Sequence, residues 1–145
     1  MVASKGLQLR FRRTEATTWS DPMMLRRILG NLLSNAVRHT ARGGVLLAIR
    51  PRGRMIHLEV WDTGPGIAPE HQQMIFREFY RVPLQGTEEG FGLGLSIVSR
   101  LSMALGHPLS LQSRVGRGTV FRLTVPVVDA SSNASVNEAS GTRQV

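Results

Sequence analysis

The sequence has no cysteine, only one lysine (Lys5), and no apolar run near the roughly 20 residues that a membrane-spanning helix needs. Each absence removes a class of protein. Without cysteine there is neither a disulfide framework nor a thiolate metal site, a composition compatible with the cytoplasm. Without a long apolar stretch or a signal-peptide core, no direct membrane insertion is expected of this chain, although a longer parent protein anchored in a membrane is compatible with it. What is present instead is arginine. The 145 residues carry a formal charge of +8, almost all of it from arginines scattered along the chain rather than massed in one run. Such a balance suits nucleic acid, a membrane surface or a phosphorylated ligand. The length suits one domain with one core.

The longest predicted helix ends in Leu29-Gly-Asn-Leu-Leu-Ser-Asn-Ala-Val-Arg-His-Thr40. Apolar residues recur at Leu25, Ile28, Leu29, Leu32, Leu33, Ala36 and Val37, the spacing of a helix face that packs on a sheet or another helix. Asn31, Asn35 and Arg38 fall at i, i+4 and i+7, so two carboxamides and a cation share one flank. Asparagine competes with the backbone for hydrogen bonds and costs helix stability in an interior. Two of them within five residues suggest a task on that flank.

Taken in order, residues 1–6 are a small polar leader. Residues 7–11 alternate as an edge strand does, and 17–19 read as a second short strand. Ser20 or Asp21 caps the long helix, with Pro22 in its first turn. Residues 45–50 and 55–62 form a predicted antiparallel hairpin around Pro51-Arg-Gly-Arg54. Ile56, Leu58, Val60 and Asp62 share parity, so Asp62 projects from the apolar face and needs a partner there. A helical piece over 69–79 follows, then a polar loop at 82–89. Gly90-Phe-Gly-Leu-Gly-Leu-Ser96 opens a second amphipathic helix, and residues 108–113 and 119–125 close the domain as strands. From 128 onward the composition is that of a disordered tail or linker.

Each feature alone has an ordinary explanation. Asparagines on a helix flank are commonly solvated, Asp-x-Gly-x-Gly is commonly a capped turn, and Phe76, Phe79 and Tyr80 suit a core. Their combination points further. The glycine-rich segment is no P-loop, lacking Gly-Lys-Ser/Thr, and no dinucleotide fingerprint, having the wrong spacing and a polar loop before it. It still offers close backbone approach and a positive helix end for phosphate oxygens. Asp62 can accept from an exocyclic amine such as that of adenine, and the Asn35 oxygen is a hard ligand suited to Mg²⁺ held chiefly by phosphates and water. These parts assemble an ATP site.

At this point the sequence resembles the catalytic, ATP-binding (HATPase) domain of bacterial sensor histidine kinases, in the wider family that includes gyrase and Hsp90 ATPase domains. Residues 31–40 are similar to its N box, 62–66 to its first glycine box, Ile75-Phe-Arg-Glu-Phe-Tyr-Arg81 to its F box and 90–97 to its second glycine box. Gly116-Arg-Gly-Thr-Val-Phe121 resembles the closing motif. The resemblance covers roughly residues 6–127 and implies a Bergerat-type α/β two-layer sandwich, a mixed, mostly antiparallel sheet with about three helices on one face. The expected ATP-binding domain is 7–127.

Carried over by position, the resemblance implies that Asp62 binds the adenine amine and Asn35 ligates Mg²⁺. Arg38 and His39 stand where the family commonly has Lys and Tyr, near phosphates and ribose. Gly64, Gly66, Ile67, Tyr80 and Gly90 belong to the nucleotide site; Gly92, Leu93, Gly94 and Leu95 wrap phosphates; Thr119 joins the bonding around adenine. Arg81 approaches the γ-phosphate, and residues 82–89 are the lid. Gyrase-like relatives carry a water-activating glutamate at position 31. The neutral amide of Asn31 cannot take that proton, which favours transfer to a protein nucleophile over hydrolysis. Transfer then rests on positioning and on cations.

The expected partner is a histidine-containing dimerisation domain of the same parent protein, with a response-regulator receiver domain acting downstream; a parent of hybrid type is compatible with the polar tail. None of His39, His57, His71 and His107 lies in a phosphoacceptor-like helix, and structural roles are expected for them. The isolated chain is expected to be a cytoplasmic monomer that binds ATP without phosphorylating itself. A degenerate nucleotide sensor and an anti-sigma-type serine kinase share the same site and remain alternatives. A nucleic-acid module has only the charge in its favour.

Overall fold

The computed structural model describes residues 6–12, 18, 20–80 and 92–127. The leader before Gly6, the lid at 82–89 and the tail from 128 lie outside the described residues. The secondary structure runs β1 (Gln8–Arg12), α1 (Pro22–His39), β2 (Gly44–Arg52), β3 (Met55–Asp62), α2 (Pro69–Gln72), α3 (Gly92–Leu105), β4 (Leu109–Arg114) and β5 (Gly118–Pro126).

Asp21, not Ser20, caps α1. Its carboxylate accepts from the backbone N–H groups of Met23 at 2.9 Å and Met24 at 3.0 Å, satisfying two of the donors that a helix start leaves open. Ser20 instead pairs its Oγ with Nε2 of buried His107 at 2.8 Å. Arg38 and His39 occupy the last turn, where cations favour the helix dipole. Thr40 then turns extended and ends the helix, its N–H on the Ala36 carbonyl.

The described strands form one five-stranded sheet in the order β1-β2-β3-β5-β4. β1 runs parallel to β2, and the other neighbours are antiparallel. The β2–β3 ladder continues through Pro51 and Arg52, two residues past the expected end, and closes around Gly53 at φ +60°. Of the second short strand expected at 17–19, Thr17 and Trp19 lie outside the described residues, and Thr18 bridges Val127.

Parity divides the sheet into two unlike faces. On the inner face Ile56, Leu58, Val60, Phe121, Leu123 and Val125 meet Ile28, Leu32, Ala36 and Val37 of α1 and Leu95 and Val98 of α3, forming the core. The two long helices lie on this side, and the third expected helix is a single turn that buries none of its residues. The helix expected over 69–79 stops at Gln72 and continues as turns, with the N–H groups of Met74, Arg77 and Tyr80 each bonded three residues back. Ile75 is fully buried and Phe76 packs edge-on against Phe121 at 6.2 Å, while Phe79 takes φ +65° and is exposed. Such a left-handed residue ends any helix.

The outer face carries Glu59, which has no exposed side-chain surface. Arg122 Nε donates to its Oε2 at 2.6 Å, Trp61 Nε1 to its Oε1 at 3.3 Å, and Arg50 stands 3.4 Å away. Burial pushes its carboxyl up, but the hydrogen bonds and the two guanidinium charges outweigh burial and hold it below the usual carboxylate range. The stability this contributes is complete above the ordinary carboxylate pKa and is lost as pH falls through the depressed folded value. Glu59→Gln should cost about 2 kcal/mol at pH 7, less than a fully buried pair because both arginines reach water. Urea unfolding at pH 7 and in acid checks this. The gap to wild type should narrow in acid, and equal stability at pH 7 would remove Glu59 from the fold's supports.

Candidate nucleotide site

Asp62 is the last residue of β3, on the inner face and paired across the ladder with Thr119. Past it the chain cannot continue as strand. Gly64 donates its N–H to Asp62 Oδ1 at 2.9 Å, and Gly66 sits at φ +75° with its α-carbon against the β4–β5 turn. A Cβ there would stand 2.1 Å from the Arg114 carbonyl oxygen. The loop is tied to that turn again by Gly116 N–H on the Pro65 carbonyl at 2.8 Å. Only glycine permits this conformation at this distance.

The C-terminal end of α1 reaches the same place. A Cβ on Gly64 would lie 3.0 Å from both Asp62 Oδ1 and the His39 carbonyl oxygen, and 3.3 Å from Thr40 Oγ1. The carboxylate and the Thr40 hydroxyl thus adjoin across one glycine. Along α1, Arg38 is exposed, His39 and Asn31 are half-buried and Asn35 is 5 % exposed. Asn35 Nδ2 and Thr40 Oγ1 are buried with no hydrogen-bond partner among the described residues. A buried polar group left unpaired costs about 1–3 kcal/mol. Two on one helix and its C-cap, with Thr40 beside the half-buried Asp62 carboxylate, mark a place where the fold gives up stability.

Burial pushes the Asp62 carboxyl above the usual carboxylate range, and the backbone N–H groups of Gly64 and Thr119 offset only part of that. Ile67 sends its side chain into the core while its N–H donates to Ser113 Oγ at 2.7 Å. Leu95 is likewise fully buried, so it reaches a ligand only through its backbone. The Tyr80 hydroxyl pairs with His71 Nδ1. Gly92, Leu93 and Gly94 begin α3. Arg81 and Gly90 lie outside the described residues.

Sequence reasoning missed Thr40, Gln72 and Ser113. Gln72 Nε2 donates to the Ile67 carbonyl at 2.9 Å and reaches the Ser113 carbonyl at 3.4 Å, clamping the glycine loop to β4. Nothing in local sequence announces the bond to Ser113, which spans elements far apart in the chain. A cleft of about 590 Å³ opens at this end of the sheet, lined by Asp62, Ser113 and Thr119 but also by outer-face Trp61 and Val120. It includes no residue of α1 or its C-cap, so Asn35 and Thr40 do not line it.

A two-layer α/β sandwich whose last helical turn, glycine loop and closing strand converge on one half-buried acid defines a class of nucleotide-binding domain. Residues 20–129 match the model of the histidine kinase-, DNA gyrase B- and HSP90-like ATPase family, and the chain belongs to that family. Among curated relatives, the adaptive-response sensory kinase SasA of Synechococcus elongatus is 34 % identical over 113 residues, covering 77 % of this chain and 29 % of its own length. The sensor histidine kinase CusS of Escherichia coli is 38 % identical over 129 residues, covering 87 % and 27 %. Among solved structures, full-length ShkA in complex with AMPPNP aligns with TM-score 0.76 and 36 % identity over 89 % of this chain and 27 % of that one. The chain therefore spans little more than a quarter of the length of these relatives. Among the described residues no helix is long and apolar enough to cross a membrane.

The raised Asp62 pKa has a sign that can be measured. A group that binds its proton more tightly when folded loses stability as pH rises from the unfolded to the folded value, so the ionised carboxylate weakens the fold at neutral pH. Asp62→Asn keeps an acceptor for Gly64 and removes the charge. It should unfold at a temperature equal to or a few degrees above wild type at pH 7, the difference vanishing as pH falls below the folded pKa. Thermal melts across pH check this, and a large destabilisation at pH 7 would make Asp62 a structural residue.

Proposed function

We propose that this chain is the catalytic ATP-binding portion of a sensor histidine kinase, which holds Mg-ATP and passes the γ-phosphoryl group to a histidine on a separate dimerisation domain of the same parent. The observation that carries the reading is the buried Asn35 Nδ2, which has no hydrogen-bond partner among the described residues and leaves an interior donor for a polar ligand on the helix whose end meets Asp62. Membership in the ATPase family supports it. The donor set fits the absent group. Asn35 offers a neutral oxygen, and Mg²⁺ when bound supplies charge neutralisation at the phosphates.

The chain's own residues then divide the work. Asp62 accepts from the adenine amine, and Thr119 and the 64–67 loop shape the base pocket. Arg38, His39, the start of α3 at Gly92 to Leu95, and Gly90 lie along the ribose and phosphates, and Tyr80 sits at the entry to the lid. Arg81 offsets charge developing on the transferred group. Asn31, whose amide takes no proton at neutral pH, leaves water unactivated, so transfer to the acceptor histidine prevails. A response-regulator receiver domain receives the phosphoryl group next.

Calorimetric titration with ATP should give micromolar affinity, about −8 kcal/mol. Asp62→Asn should weaken it severely, and Asn35→Ala should abolish its dependence on Mg²⁺. The chain alone should acquire no acid-labile phosphate until a histidine-bearing dimerisation domain is supplied. Absence of nucleotide binding by the folded wild type, or phosphorylation of His39, His57, His71 or His107 in the chain alone, would overturn the proposal.

A further inference from the structure

Ser113, on β4 opposite Thr119, stands at the centre of a hydrogen-bond network in which one arrangement of protons satisfies every contact. Its Oγ lies 2.7 Å from the Ile67 amide nitrogen, 3.0 Å from the Gly118 carbonyl oxygen and 2.8 Å from Thr119 Oγ1. An amide N–H only donates, a carbonyl only accepts, and a serine hydroxyl has one proton and two lone pairs. All three contacts are satisfied together only when the Ser113 proton goes to Gly118 and one lone pair is filled by Ile67. The remaining lone pair can be satisfied only if the Thr119 hydroxyl donates to it. Thr119 is itself 7 % exposed and directly across the ladder from Asp62 on the same face. With its only proton spent on Ser113, its oxygen has lone pairs alone to offer a ligand beside Asp62.

Resting on the reading that the base of ATP lies against Asp62 and Thr119, we infer that Ser113 is a positioning residue that sets nucleobase selectivity by locking Thr119 as a pure acceptor. Two acceptors side by side match the two N–H donors of the exocyclic amine of adenine. A purine with a carbonyl at that position, as in inosine triphosphate, meets lone pairs with lone pairs. Sites built to pair a donor discriminate strongly against an analogue lacking it, because the buried groups are left unmatched. Gln72 supports the arrangement by clamping the carbonyl groups of Ile67 and Ser113, which keeps the amide of Ile67 on the serine.

The test compares affinities for ATP and inosine triphosphate in wild type, Ser113→Ala, Ser113→Thr and Thr119→Val. Wild type should prefer ATP. In Ser113→Ala the Thr119 hydroxyl is free to rotate and to donate to a carbonyl, so the ATP-to-inosine ratio should fall about tenfold. Ser113→Thr, which keeps the hydroxyl, should retain the wild-type ratio. A merely structural serine would weaken both nucleotides equally and leave the ratio unchanged, and that result overturns the inference. If Ser113→Ala does not fold, Thr119→Val decides. It removes the oriented acceptor, leaves Ser113 bonded to Ile67 and Gly118, and must lose the same discrimination; a preserved ratio overturns the inference. If wild type binds neither nucleotide, or Asp62→Asn leaves ATP affinity intact, the nucleotide reading itself fails and this inference falls with it.

Discussion

The structure depends on how closely two backbones approach at the end of β3. A Cβ on Gly118 would stand 2.0 Å from the Asp62 carbonyl oxygen, and one on Gly66 2.1 Å from the carbonyl oxygen of Arg114. Both glycines have positive φ. They let the loop after β3 and the turn between β4 and β5 lie on one another main chain to main chain. Residues far apart in sequence are thereby brought to one point: Asp62 and Gly64 from the middle of the chain, Ser113 and Thr119 from its end, and Thr40 from the end of α1. A side chain at either glycine would separate these groups by the width of a methyl group, and the network around Ser113 would come apart with them.

Around that junction, the fold concentrates polar groups it does not satisfy. Asn35 Nδ2 and Thr40 Oγ1 are buried without partners among the described residues, while the aliphatic core a few residues away is closed, with Ile28, Leu32, Leu95 and Leu123 at 0 % exposure. Unpaired groups costing about 1–3 kcal/mol each are tolerable only because that core is complete. Preorganised unmet hydrogen-bonding capacity is what a polar ligand site requires, since groups already bonded to each other would have to be separated first. The apolar stripe of α1 and its asparagine flank are therefore one design: the stripe supplies the stability that the flank gives up.

How much of this was legible depended on the range of the interaction. The α1 stripe, Pro22 and Asp21 are local signals, and the helix begins and ends where they indicate. Parity alone placed Asp62 on the apolar face, because alternation in a strand is fixed by backbone geometry. The piece after Pro69 misled, since its apolar residues at Ile75, Phe76 and Tyr80 mimic helical spacing while the left-handed turn at Phe79 is invisible to periodicity. Parity also contains Glu59 on the outer face, but nothing local says that Arg50 and Arg122, on two neighbouring strands, would bury it. The Ser113 network is of the same kind. Its four members come from three segments: the register of β4 on β5 sets Ser113 opposite Thr119, and the close approach of Gly66 to Arg114 brings Ile67 to them.

Glu59 and Asp62 show what that long-range context decides. They are two carboxylates three residues apart on one strand, with the same intrinsic chemistry and the same opposition from burial, yet their pKa values move in opposite directions. On the outer face two guanidinium groups and an indole N–H more than repay the desolvation of Glu59, and its charge becomes part of the sheet's stability. On the inner face Asp62 receives only backbone N–H groups and no cation among its perturbing neighbours, so its charge stays underpaid and available. Had an arginine stood at position 119 instead of threonine, Asp62 would have become a second Glu59, stable and closed to ligands. The scarcity of lysine sharpens the division. Arg122 holds Glu59 through its planar fork, which fixes the outer acid in place and leaves the inner one as the carboxylate on this strand still able to choose its partner.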